Sequence, residues 1–209
     1  MINVGIITMH KSDNYGAVLQ SYALVKTLEK FNVKPEIINY IPERFKTSIQ
    51  FFYVHPRRYN NLIKKYIIML ASLPIRALIY YRYSSFLKTY IPVGKNTYFS
   101  EEELESNLPV YDVYMSGSDQ VWNPDFEGHI DPAFFLKFAP DNARKVAYAS
   151  SFGKSELSET ESREARQLLS RFDSISVREK TGKDIVEKMG LEAEYLLDPT
   201  FLLSGDEWR

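Results

Sequence analysis

The 209-residue sequence contains no cysteine. That excludes a disulfide framework, a thiolate metal centre and a cysteine nucleophile, and it fits a reducing compartment. No stretch supplies the ~18 uncharged apolar residues that a membrane-spanning helix needs; the best run, YIIMLASLPI at 66–75, is far too short. The N-terminus, MINVGIITMH, has neither a basic leader nor a small-residue cleavage site, so it does not read as a signal peptide. Internal repeats and low-complexity linkers are missing. So are G-x-G-x-x-G, H-E-x-x-H, G-x-S-x-G and D-x-D, which removes the common dinucleotide, zinc-peptidase, serine-hydrolase and metal-dependent nucleotide-sugar signatures.

A further absence is local. Residues 44–100 contain no Asp or Glu, yet they hold ten basic residues (Arg44, Lys46, Arg57, Arg58, Lys64, Lys65, Arg76, Arg82, Lys88 and Lys95), so the rest of the chain carries −11 against −1 for the whole. The same segment is rich in Tyr and Phe. A split of this kind points to a local anionic partner rather than a generally basic protein, and nothing in it suggests nucleic acid. Two readings stay open: a basic, aromatic surface that contacts anionic lipid, or a helical hairpin that caps the sheet with solvated Lys and Arg.

What is present is an alternation of strands and helices. INVGIITM (2–9) reads as a buried strand. AVLQSYALVKTLEKF (17–31) sets Val18, Tyr22, Val25 and Leu28 on one helical face, and KPEIINY (34–40) reads as the next strand, completing a parallel crossover unit. Within 44–100, two helices are expected, broken at Pro74, because proline removes a helix hydrogen bond and clashes with the preceding turn; the region reads as an insertion. Ser100 with Glu103, and Ser158 with Glu161, are capping boxes that open helices. Strands are expected at 110–115, 145–152 and 174–179, followed by a helix that stops at Gly190 and by AEYLLDPTFLL as a strand and its exit. The pattern predicts an α/β fold, a Rossmann-like doubly wound parallel sheet in one domain spanning 1–209. In such sheets ligands collect beyond the carboxyl ends of the strands, where strand order reverses. The polar loops HKSDNYG, SGSDQVWN, SSFG and REKTG all fall at such ends.

Near-motifs fail on single residues. TGKD imitates the tail of a phosphate loop, but position 177 is Val where glycine is required. NPDFEGHIDPAF imitates a calcium loop through Asn123, Asp125, Glu127 and Gly128, but position 134 is Phe where the closing Glu belongs. No metal is expected. Of the three histidines, His10, His55 and His129, only His10 lies beside the expected ligand edge, either facing it or as a solvated loop residue.

Four loops taken together carry a resemblance. DNYGAVLQSYAL after the first strand, SGSDQVWN after a middle strand, AYASSFG and SVRE, in this order and spacing, resemble the polysaccharide pyruvyl transferase family. The resemblance covers the chain outside 44–100. It implies an enzyme that transfers the pyruvyl group of phosphoenolpyruvate to a sugar of a bacterial cell-surface polysaccharide precursor, with phosphoenolpyruvate as substrate and no cofactor. It also implies a second α/β domain facing the first, in a glycosyltransferase-B-like architecture, so that this chain reads as an N-terminal half, inactive alone. The expected location is cytoplasmic, peripheral at the inner face of the membrane. Other readings are a non-catalytic module binding a saccharide or lipid-linked sugar, and a metal-independent glycosyltransferase.

Onto this sequence the resemblance places a site made of Asn14, Tyr15, Gly16, Ser116, Gly117, Ser118, Asp119, Gln120, Trp122 and Arg178. Asn14, Tyr15 and Gly16 open a helix whose first amides suit an anion, or simply cap it. Ser116, Gly117, Ser118 and Gln120 offer small polar groups. Asp119 is the catalytic candidate, as base toward a sugar hydroxyl, or it closes an Asx turn. Trp122 would stack on a sugar ring or anchor the loop. Arg178 would clamp an anion or pair with Glu179 or another acid.

Overall fold

The computed structural model describes residues 1–11, 14–42 and 62–209, without the side chains of 62–66, 68 and 69. Ser12 and Asp13 of the first polar loop, and the basic residues Arg44 to Arg58 together with His55, lie outside the described residues. Seven strands form one sheet: β1 (Ile2–Ile7), β2 (Val33–Tyr40), β3 (Val93–Tyr98), β4 (Val113–Ser116), β5 (Arg144–Ser150), β6 (Ser174–Val177) and β7 (Glu194–Tyr195). The order is β3-β2-β1-β4-β5-β6-β7 and every pairing is parallel. Strand order therefore reverses between β1 and β4, as the doubly wound reading requires.

From Val4 to Ile7 β1 is apolar and buried because it is covered on both faces. Val4 and Ile6 face α1 (Tyr15–Glu29) and α2 (Leu62–Tyr90), packing with Val18, Leu24, Val25 and Leu87. Ile7 points the other way, into a larger core built from α3 (Glu101–Ser106), α4 (Glu159–Leu169), α5 (Lys180–Lys188) and the irregular stretch 121–139. Both caps form: Ser100 accepts from the Glu103 amide, and Ser158 and Glu161 complete a reciprocal capping box. α5 ends at Gly190, whose φ of +78° suits a residue without a Cβ; its amide bonds Glu187 O at 2.9 Å and the Leu191 amide bonds Val186 O at 3.3 Å, a Schellman closure.

Two expectations about 44–100 are corrected. Pro74 does not break the helix: α2 runs through it as a single 29-residue element. Pro74 and Leu70, whose carbonyl the proline leaves without its helical donor, are both exposed, so water can satisfy that group. The described part of this region is also more than a helical insertion. α2 is the crossover between β2 and β3, and β3 is one of the two edge strands of the sheet. Its sequence, VGKNTY, lacks the apolar continuity of a central strand because an edge needs none. The final strand shrinks to Glu194–Tyr195 and gives way to a 3-10 turn at Pro199–Leu202, capped by Asp198.

Candidate functional site

The carboxyl ends of β1, β4, β5, β6 and β7 share one edge, and a chain of polar contacts runs along it. Gln20, on the second turn of α1, donates to Thr8 Oγ1 at 3.0 Å, and Thr8 Oγ1 donates to Ser118 O at 2.7 Å. Ser118 Oγ donates to Asp198 Oδ2 at 3.3 Å, and the same carboxylate oxygen receives Arg178 Nη1 at 3.1 Å. Arg178 Nε donates to Glu179 Oε1 at 3.0 Å, which also accepts Ser151 Oγ at 2.9 Å. Five strand ends are thus tied together through side chains that no single loop supplies.

Asp119 sits in this edge under constraint. Its φ is +82°, in the left-handed region that Asp tolerates better than most residues. Its backbone bridges to Ser150, its carbonyl accepts the Ser151 amide at 3.0 Å, and its Oδ1 accepts the Gln120 amide at 2.8 Å. β5 bends to meet it: the register shifts between Ala147 and Ser150, and buried Ala149 has a φ of +48°. Bulges and positive-φ residues of this kind re-aim side chains next to sites. Burial pushes the Asp119 carboxyl above the usual carboxylate range; the Gln120 amide and the Arg178 charge oppose that, while Asp198 and Glu179 reinforce it. Burial works against charge on Arg178 too, but its bonds to Glu179 and Asp198 outweigh it and hold the guanidinium firmly protonated. Three carboxylates thus surround one guanidinium.

The expected residues divide. Asp119, Ser118, Gln120 and Arg178 come together at the edge. Gly117 packs against β1, where an added Cβ would lie 2.9 Å from Thr8 Cβ, so glycine is needed for the strands' close approach. Ser116 is fully buried and donates to Phe134 O at 2.9 Å, which makes it part of the core rather than a ligand contact. Trp122 is likewise corrected as a sugar platform. It is 1% exposed, stacks on Phe135 with ring centroids 5.2 Å apart, and donates its indole N–H to Phe134 O at 3.2 Å. The rings of Phe135, Phe152 and Phe172 occupy the space a sugar would need. Arg178 is not a free anion clamp, because Nε and Nη1 are committed to acids. Asn14 caps α1 by accepting the Gly16 amide at 2.8 Å, which occupies one of the first-turn donors an anion would use. Tyr15 stands 67% exposed at the same edge.

Sequence reasoning missed Thr8, Ser151, Glu179 and Asp198. Glu179 stood inside the quoted SVRE. Asp198-Pro199 carried the signal of a capped turn, but only the fold brings β7 beside β6. His10 is neither solvated nor facing a ligand. It is fully buried, with Nδ1 3.2 Å from Thr8 O and Nε2 3.2 Å from Asn39 Oδ1. Burial, aided by the Lys11 charge, lowers its pKa to about 4, against partial support from Thr8 and Asn39. The unfolded chain therefore binds a proton that the native state refuses, and stability present above pH 6.5 is lost as pH falls toward 4, by about 3 kcal/mol for a gap of this size. We expect the melting temperature of His10→Gln to fall less than that of the wild type between pH 6.5 and 4 in thermal unfolding; parallel curves would reject this assignment.

Among the described residues no group of three or more His, Asp or Glu is placed to hold a metal ion, and no helix is long and apolar enough to cross a membrane. A parallel sheet with a polar switch edge beyond its strands' carboxyl ends defines the Rossmann-like class of α/β domain, in which ligands bind at that edge. The family model for polysaccharide pyruvyl transferase matches residues 14–209, and the chain belongs to that family. No curated protein sequence matches the chain.

Proposed function

We propose that this chain forms the acceptor-binding side of a pyruvyl transferase that uses phosphoenolpyruvate as donor. In that reaction the donor's methylene carbon gains a proton and becomes methyl. Two sugar hydroxyls add to the adjacent carbon and lose their protons, and inorganic phosphate leaves. Asp119 takes a hydroxyl proton, as a carboxylate whose basicity is raised by burial. Gln120 orients the sugar, Ser118, itself fully buried, steadies Asp198 beneath it, and Asn14, Tyr15 and Gly16 border it from α1.

The observation that carries this reading is the charge of the edge. Asp119, Glu179 and Asp198 outnumber Arg178, which is itself engaged. An edge of that sign suits hydroxyl donors and repels the carboxylate and phosphate of the donor, whose cationic partners then belong to a second domain across the cleft. Saturation-transfer NMR tests the assignment. The 209-residue chain should give signals with acidic-edge saccharide ligands and none with phosphoenolpyruvate. Ketal formation from phosphoenolpyruvate by this chain alone would overturn it.

A further inference from the structure

Helix α2 runs well past the carboxyl edge of the sheet. Its C-terminal turns lie along α1: Tyr83 meets Tyr15 with ring centroids 4.9 Å apart, and Phe86 and Tyr90 meet Tyr22 at 5.6 and 6.1 Å. Tyr15 is the first residue of α1, at the carboxyl edge of the sheet, so α2 runs alongside α1 and Tyr83 is level with that edge. The residues from 62 to 82 continue beyond it as about 30 Å of helix at 1.5 Å per residue. Among the described residues of α2, none before Tyr83 belongs to the buried core clusters.

This projecting arm turns an apolar stripe outward. Ile67, Leu70, Ala71, Pro74, Ile75, Leu78 and Tyr81 follow the i, i+3, i+4, i+7 spacing of one helical face, and all are exposed, from 50% at Leu78 to 70% at Tyr81 among the large ones. The helix has no acidic residue, and it carries Lys64, Lys65, Arg76, Arg82 and Lys88. Apolar residues continue round the helix at Leu73, Ile79 and Tyr80, and Lys64 and Arg82 flank the stripe rather than oppose it; exposed apolar and aromatic side chains beside long cations, with no anion, suit contact with anionic lipid headgroups. The charges, spaced along the helix, disfavour a spanning orientation. A second copy packed on the same stripe would bring two sets of like charges together, which electrostatic complementarity disfavours.

We propose that the projecting arm of α2 docks the protein on an anionic phospholipid surface, with the carboxyl-edge site beside that surface. The proposal does not depend on the donor or on the reaction, so a failed pyruvyl transfer assay leaves it intact, and the reverse also holds. The test is co-sedimentation of the purified protein with phosphatidylcholine vesicles containing 30% phosphatidylglycerol, at low salt and at roughly physiological salt. Binding should weaken with salt and be at least ten-fold stronger than to pure phosphatidylcholine. Lys64→Gln/Lys65→Gln/Arg82→Gln should weaken it about a hundred-fold, at about five-fold per basic residue removed. Ile75→Glu/Leu78→Glu should abolish it while leaving circular dichroism unchanged, since both side chains are exposed. Absence of binding to the anionic vesicles, equal binding to neutral ones, or unchanged binding by the double Glu variant would each overturn the proposal. A self-association in light scattering that the double Glu variant removes, without vesicle binding, would assign the stripe to a second copy instead.

Discussion

Asp119→Asn is expected to lower pyruvyl transfer by two to four orders of magnitude in the active enzyme, the range for loss of a general base, while the folded chain becomes more stable at neutral pH. The two effects have one cause. Burial raises the carboxyl's proton affinity in the native state. Its contribution to stability is therefore fully present below the ordinary carboxylate pKa and lost as pH rises through the raised one. Above that raised value the native protein carries an ionised, largely desolvated carboxylate, and asparagine of the same shape removes that cost. The amide oxygen of asparagine can still accept the Gln120 N–H, and the backbone contacts to Ser150 and Ser151 do not involve the side chain. The measurements are kcat and KM for the acceptor, together with melting temperature at pH 7 and at acid pH. A fall confined to kcat, with a raised melting temperature at pH 7 that converges on the wild type in acid, is the expected pattern. The acid limb of the wild-type rate profile should also lie above the usual carboxylate range. Full activity with raised stability would leave Asp119 as a loop-closing residue whose strain serves no chemistry.

How much of this edge was legible in the sequence depended on whether a signal was local. Periodicity located β1, α1 and β2, because their apolar faces are set by neighbours that any such unit must have. Capping boxes located α3 and α4 for the same reason: Ser158 and Glu161 satisfy each other within one turn. Pro74 misled because its cost depends on whether the carbonyl four residues earlier can be hydrated, a property of the surroundings rather than of the dipeptide. β3 was hidden because an edge strand needs no continuous apolar run. The site divided along the same line. Asp119 and Ser118 lie in a loop whose polarity is visible, but Asp198 joins them from 80 residues away through β7, a two-residue strand with exposed side chains. That Arg178 is paired rather than free emerges only when Glu179 and Asp198 are seen to occupy it.

Trp122→Ala is expected to be the most destabilising single change along this edge, at about 3–5 kcal/mol for loss of a fully buried aromatic side chain. For a domain of this size that corresponds to a melting temperature lower by roughly 10 °C. The indole stacks on Phe135, tilts against Phe152 and meets the edge of Phe172, so its removal opens a cavity bounded by rings that cannot all collapse into it. It also leaves Phe134 O with Ser116 Oγ as its remaining side-chain donor. Trp122→Phe should recover most of the loss, because stacking on Phe135 survives and only the N–H bond is missing. The decisive comparison is between stability and ligand affinity. A sugar-stacking tryptophan would lose saccharide binding on truncation with little change in melting temperature. A tryptophan packed beneath the loop does the opposite: well below its lowered melting temperature, the alanine variant should bind saccharide with nearly unchanged affinity, read by the same saturation-transfer titration. Residue 122 holds Asp119, Ser118 and Gln120 in place from below in two ways: its backbone amide donates to Ser151 O at 3.0 Å, a bond alanine keeps, and its indole packs among residues 121–139. Its contribution to function runs through the order of the loop, and a variant that stays folded keeps it.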